Sequence, residues 1–147
     1  MKQYIIHTDG GSRGNPGHAA VGVVIDEKFA DGKLHRVKSH GEYIGIATNN
    51  VAEYTAVSVA LSELIKQEAS CNGDDAVYEF YLDSLLVVQQ LNGVYKVKDA
   101  TLRECVFTIR VLEQRLGGKI HYMAVRRALN TDADREVNRA LDMRTSS

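Results

Sequence analysis

The chain has no run of about 18 apolar residues, the length that a membrane-crossing helix needs. Its first residues, MKQYIIHTDGG, lack the long apolar core that precedes a signal-peptide cleavage site. These absences predict a soluble, cytoplasmic protein. Only two cysteines occur, Cys71 and Cys105, far apart and at no metal-ligand or redox spacing, so a disulfide framework is excluded and free thiols are expected. An excess of one charge is missing too. Eighteen basic residues against 19 acidic ones give a net charge of −1, which argues against a strong, sequence-blind polyanion binder. Any nucleic-acid contact must then be local, at stretches such as Arg126–Arg127 or Lys96 with Lys98. There is no internal repeat, low-complexity tract or linker. What is present, 147 residues with 44% hydrophobic content, suffices for one globular domain over residues 1–147 with a full core. Nothing calls for more than a monomer, and no protein partner is predicted.

Tyr4 to Asp9 reads as a strand, stopped by the turn-rich segment Gly10 to Gly17. Valine-rich Ala19 to Asp26, a turn at Ala30 to Gly32, and the alternating stretch Leu34 to Ile46 complete a three-stranded antiparallel meander. Apolar residues Ala52, Ala56, Val59, Ala60 and Ile65 recur at helical spacing, predicting a helix from Asn50 to about Glu68. Val77 to Asp83 follows as a strand, Ser84 to Leu91 as a short helix stopped near Asn92-Gly93, and Val94 to Asp99 as a brief polar connection. A helix at Thr101 to Leu116 is closed by Gly117-Gly118; Ile120 to Val125 is the fifth strand and Thr131 to Met143 the last helix. The order predicts an α/β fold: a five-stranded mixed sheet, three antiparallel strands and then parallel ones, flanked by helices.

Four acids fall at the seams between these elements. Asp9 and Asp83 close strands, while Glu53 and Asp134 open helices. Each has a purely structural reading: Asn50-Val51-Ala52-Glu53 fits a capping box, Thr131-Asp132-Ala133-Asp134 a looser one, and Asp9 could start an Asx turn. Asp83 resists such a reading, because aspartate is depleted in strands and rarely buried alone. All four at element ends that an α/β sheet gathers together point instead to one shared site. Carboxylates drawn from several elements suit a hard cation such as Mg²⁺ or Mn²⁺. The glycine-rich segment has neither the Lys-Ser/Thr ending of a P-loop nor the G-x-G-x-x-G spacing. It is either a surface turn or a place where the backbone of Gly10, Gly11 and Ser12 comes close to a ligand, with Arg13 and Asn15 in reach of phosphate or sugar.

Thr8-Asp9-Gly10-Gly11-Ser12-Arg13-Gly14-Asn15-Pro16-Gly17, Thr48-Asn49-Asn50-Val51-Ala52-Glu53-Tyr54, Leu82-Asp83-Ser84, Gln90 to Gly93 with Tyr95 to Asp99, and Asn130 to Asp134 together resemble type 1 ribonuclease H, in its compact version. The match runs in order over nearly the whole chain. It implies the ribonuclease H-like fold and an endonuclease that cleaves the RNA strand of RNA–DNA hybrids. It also implies that Asp9, Glu53, Asp83 and Asp134 hold two Mg²⁺ or Mn²⁺ ions, with Asp9 bridging. Two such ions about 3.5–4 Å apart suit phosphodiester hydrolysis. Gly10, Gly11 and Ser12 by backbone, and Glu53 and Asn50 by side chain, are then the candidates for reading the 2′-OH. Asn15, Thr48 and Asn49 resemble positions that contact the DNA strand, and Ser84, Arg126 and Arg127 complete the expected substrate contacts. Other classes compatible with the residues are a nuclease of this fold acting on double-stranded RNA or DNA, and a non-catalytic hybrid-binding domain.

Two departures from the resemblance carry expectations. Val125 to Leu129 lacks the flexible-loop histidine of many bacterial relatives, so Arg126 or Arg127 either replaces it or only binds phosphate. His121, inside the fifth strand, reads as structural, and His7, His18, His35 and His40 as ordinary surface or strand residues. Gly93 to Asp99 is too short for the basic protrusion with which some relatives grip the hybrid. Weaker, more salt-sensitive substrate binding is expected.

Overall fold

The computed structural model describes residues 2–68 and 75–146. The alternation of Tyr4 and Ile6 with Ile5 and His7 makes β1 (Gln3–Gly14) a strand with side chains on both sheet faces. β2 (Gly17–Lys28) and β3 (Leu34–Ala47) continue the meander. After them come α1 (Asn49–Glu68), β4 (Val77–Leu82), α2 (Leu85–Leu91), α3 (Ala100–Leu116), β5 (Lys119–Ala124), a 3₁₀ turn (Arg127–Leu129) and α4 (Thr131–Ser146). The sheet order is β3-β2-β1-β4-β5, with β1 antiparallel to β2 and parallel to β4, and β4 parallel to β5. The expected five-stranded mixed sheet is therefore present, and β1 lies at its centre.

The main core lies between the sheet and α1, α2 and α3. Tyr4, Ile6, Val23, Ile25, Tyr78 and Phe80 pack there against Tyr54, Leu61, Leu64, Val87 and Ile109. A smaller apolar cluster of Ala20, Val137 and Leu141 seats α4 on the opposite face. Burying side chains of this size contributes roughly 1.5–3 kcal/mol each, so the sheet centre, and with it the residues β1 carries, is the most firmly held part of the fold. Among the described residues no helix is long and apolar enough to cross a membrane. Cys105 is a free thiol, and Cys71 lies outside the described residues.

β1 does not stop at Asp9. It runs on through the glycines in register with β2, from Asp9 opposite Gly22 to Gly14 opposite Gly17, leaving only Asn15 and Pro16, joined by a cis peptide, as the turn. Gly14 has a positive φ of 97° at that turn, whereas Gly10 and Gly22 serve packing. A Cβ at Gly10 would overlap the backbone of Ala52 and Glu53 in α1, and one at Gly22 would overlap the Ala133 carbonyl of α4. Two helices thereby press onto opposite faces of adjacent strands.

Neither expected capping box forms. Thr48 caps α1, its Oγ1 accepting from the Val51 N–H at 3.2 Å and its carbonyl from the Ala52 N–H at 3.0 Å. Glu53 lies a full turn inside the helix, too far along to fold back on the cap. α4 begins after Asn130, whose carbonyl accepts from the Asp134 N–H at 3.1 Å. Both acids are thus released from capping. Ser84 and Asp99 do act as caps, Ser84 Oγ accepting from the Val87 N–H at 3.3 Å and Asp99 Oδ2 from the Leu102 N–H at 2.9 Å.

Candidate metal centre

The register explains why the acids meet. His7 and Tyr81 are the last partners in the parallel pair of β1 and β4, and Asp9 and Asp83 each lie two residues further on, so both stand just past the same end of that pairing. Gly10 lets the first turns of α1 approach β1, which delivers Glu53 from the side. Carboxylate oxygens of Asp9, Glu53 and Asp83 consequently lie within 4.8 Å of one another. Burial is deep: Asp9 is 6% exposed, Glu53 8%, and the Asp83 side chain 7%. Glu53 Oε2 and Asp83 Oδ2 are buried with no hydrogen-bond partner among the described residues.

Such a cluster cannot stay fully ionised on its own. Burial, followed by the charge of Asp83 and the nearness of Asp134, pushes Asp9 up to about 7, while a hydrogen bond with Glu53 opposes the rise. Burial, then Asp9 and Asp83, pushes Glu53 up to about 9, partly offset by the Gly10 backbone. Like charges crowded in a poorly solvated place favour the proton. A divalent cation removes that conflict, and the set of hard oxygens, two of them without a hydrogen bond among the described residues, fits one.

Asp134 is not within that trio, but it lines the same cleft, of about 540 Å³, and comes close enough to Asp9 to stabilise its protonated form. Asn138 Nδ2, one turn further along α4, lies 3.4 Å from Asp134 Oδ2. Asp132 is engaged elsewhere, with Arg36 at 3.1 Å and Arg135 at 3.4 Å. Of the two aspartates at this helix start, Asp134 is the one turned to the cleft.

Gly10, Gly11, Ser12 and Arg13 form one wall, and Asn49, Asn50, Ser84 and Arg127 also line the cleft. Arg127 Nε lies 3.8 Å from Asp83 Oδ2 on a side chain that is 86% exposed. Arg126 is exposed and lies outside the residues lining this cleft, because the 3₁₀ turn presents its neighbour instead. Asn15 and Thr48 lie outside it as well. They share a second cleft of about 620 Å³ with Asn49, Asn50 and the start of α3. There Asn15 Oδ1 accepts from the Asn49 N–H at 2.9 Å and Asn49 Oδ1 from the Ser12 N–H at 2.9 Å, which locks the β1–β2 hairpin to α1.

Sequence reasoning missed three cleft residues on α4: Val137, Asn138 and Leu141. Their signal was the helical spacing itself, three, four and seven residues after Asp134.

The fold and the site define a cluster of buried carboxylates beside a mixed sheet, able to hold a metal ion and opening on a polar cleft. The family model described as RNase H matches residues 1–142. The chain belongs to that family, whose membership implies dependence on a divalent metal. It is 40% identical over 143 residues to the bifunctional protein Rv2228c of Mycobacterium tuberculosis, covering 97% of this chain and 36% of that protein. The chain thus spans about a third of those mycobacterial relatives. It is 42% identical over 135 residues to ribonuclease HI of Halobacterium salinarum, covering 91% of this chain and 62% of that one. Among solved structures it is similar to LC11-RNase H1 in complex with an RNA/DNA hybrid (38% identity, TM-score 0.85, 97% of this chain and 99% of that one). The N-terminal RNase H domain of Rv2228c superposes with a TM-score of 0.83 at 35% identity over the full length of both.

Proposed function

We propose that the chain is an endoribonuclease that hydrolyses the RNA strand of RNA–DNA hybrids, largely without regard to sequence, leaving 5′-phosphate and 3′-hydroxyl ends. The observation that carries this reading is the convergence of three buried carboxylates within 4.8 Å in the wall of an open polar cleft. The likeness to LC11-RNase H1, solved with an RNA/DNA hybrid, supports the choice of substrate.

Two ions, Mg²⁺ or Mn²⁺, would supply an activated water, neutralisation of the phosphodiester charge and a stabilised leaving oxygen. Asp9, on the central strand and near both Asp83 and Asp134, would be the residue shared between the ions. Asp83 and Asp134 would each help hold one ion, and Glu53 would serve the leaving-group side, where it could also meet the ribose 2′-OH. At neutral pH Glu53, and in part Asp9, must release a proton before binding a cation, so charge is neutralised as the site fills.

The backbone of Gly10, Gly11 and Ser12 runs along the cleft as extended strand and, with Asn50, offers the close polar contacts that a 2′-OH requires. Asn15, Thr48 and Asn49, in the adjoining cleft, suit a phosphate of the DNA strand, since amides and hydroxyls fix geometry without reading bases. Arg13 and Ser84 extend these contacts along the RNA. Arg127, beside Asp83, takes the position open to the missing histidine, with Arg126 as an outer phosphate contact.

Comparing cleavage of a hybrid, an RNA duplex and a DNA duplex of one sequence tests the substrate assignment. Cleavage confined to the RNA strand of the hybrid is expected; equal cutting of the RNA duplex overturns the assignment.

A further inference from the structure

Asn130, the residue before α4, is 1% exposed. An asparagine in that position ordinarily turns its side-chain oxygen onto the N–H groups of its own helix. Asn130 does not. Its Oδ1 is buried with no hydrogen-bond partner among the described residues, while its Nδ2 donates to the Thr8 carbonyl of β1 at 2.9 Å. Thr8 immediately precedes Asp9, and the Asn130 carbonyl accepts the Asp134 N–H at 3.1 Å. Two hydrogen bonds through one residue therefore join the backbones bearing Asp9 and Asp134, although Thr8 and Asn130 stand 122 residues apart in sequence.

We propose that Asn130 is a positioning residue that sets the separation of Asp9 and Asp134, tying the metal-bearing end of α4 to the metal-bearing strand rather than capping the helix. The inference rests on the two-ion reading above. Metal centres require ligand placement to within about 0.5 Å, which rotamer packing alone rarely secures between a helix and a strand. Asp134 stands outside the close trio, so its reach to a cation shared with Asp9 depends on where α4 begins. Elsewhere the helix has its own fixings, the close seat at Gly22 and the Asp132–Arg36–Asp26 ion chain, at 3.1 and 2.6 Å. Those fixings hold α4 on the sheet, and the Asn130 tie adds register at the site itself.

The test separates capping from tying. Asn130→Ser supplies a good helix cap but cannot reach Thr8; Asn130→Ala supplies neither. Calorimetric Mn²⁺ titration of the free proteins, with thermal melts and the Mn²⁺ dependence of hybrid cleavage, gives three independent readouts. Asn130→Ser is expected to weaken Mn²⁺ binding by about tenfold, as loss of groups orienting metal ligands commonly does. Its melting temperature should stay close to wild type and its KM for hybrid within about twofold, while Asn130→Ala loses Mn²⁺ affinity similarly and stability as well. Wild-type Mn²⁺ affinity in Asn130→Ser overturns the proposal, as does failure of both variants to fold, which makes Asn130 a structural residue. Absence of saturable Mn²⁺ binding by wild type overturns the two-ion reading itself.

Discussion

Glu53 reaches Asp9 because Gly10 has no side chain. The backbone of α1 at Ala52 and Glu53 occupies the space that a Cβ on Gly10 would fill. Gly10→Ala should drive the helix from the strand, at about 1–3 kcal/mol of overpacking, and spread the carboxylate trio. Gly11→Ala is the natural comparison, since a Cβ there meets only Val137 Cγ1 at 3.7 Å, an ordinary contact. Urea unfolding should show a clear loss of stability for Gly10→Ala and less than about 1 kcal/mol for Gly11→Ala. Equal losses would refute this account of the packing.

The raised acids make metal-free stability depend on pH in a stated direction. In the folded protein Asp9 titrates near 7 and Glu53 near 9, against 3.8 and 4.5 unperturbed. Between those limits the folded state holds more protons than the unfolded one, so stability is greatest below about pH 4 from these groups and falls as pH rises toward 9. Glu53→Gln should remove much of this slope and stabilise the metal-free protein at pH 8 by at least about 1 kcal/mol, while abolishing cleavage. Denaturation at pH 5 and pH 8 in the presence of a chelator checks it. In wild type Mn²⁺ affinity should climb over the same range, with net proton release on binding near pH 7.

The two arginines after β5 should separate. Arg127 lines the cleft beside Asp83 on a largely exposed side chain, so Arg127→Ala should lower kcat by about 10- to 100-fold, less than the roughly 100- to 1,000-fold of removing a fully enclosed charge-stabilising donor. Arg126 lies outside the cleft, and Arg126→Ala should leave kcat nearly unchanged and shift only KM and its salt dependence. Steady-state kinetics at two salt concentrations distinguishes the two outcomes.

Only a short connection links α2 to α3, with its two lysines, Lys96 and Lys98, exposed and no basic protrusion. Hybrid affinity should therefore be weak and fall steeply with salt relative to protrusion-bearing relatives. A salt titration of binding with matched hybrids measures it, and equal affinity at each salt concentration would contradict the expectation.

The element order and the helix limits to within a few residues could be read from periodicity, and acids near element ends pointed to the cluster that Asp9, Glu53 and Asp83 form. Three points could not, and each depends on a residue distant in sequence. Gly10 to Gly14 has the composition of a turn but is strand, because the reason for its first glycine is a helix some forty residues later. Asn50 and Thr48 are both plausible caps locally, and the hairpin bonds through Asn15 and Asn49 accompany the choice of Thr48. Asp132 and Asp134 are alike by local pattern, and Arg36, 96 residues before Asp132, draws one of them away from the cleft.

The central claim is that Asp9 and its neighbouring carboxylates hold the ions that cleave RNA. Incubating an end-labelled RNA–DNA hybrid with wild type and Asp9→Asn, each with and without Mn²⁺, tests it most directly. Cleavage of the RNA strand only by wild type and only with Mn²⁺ is the expected result. Undiminished Mn²⁺-dependent cleavage by Asp9→Asn would contradict the account.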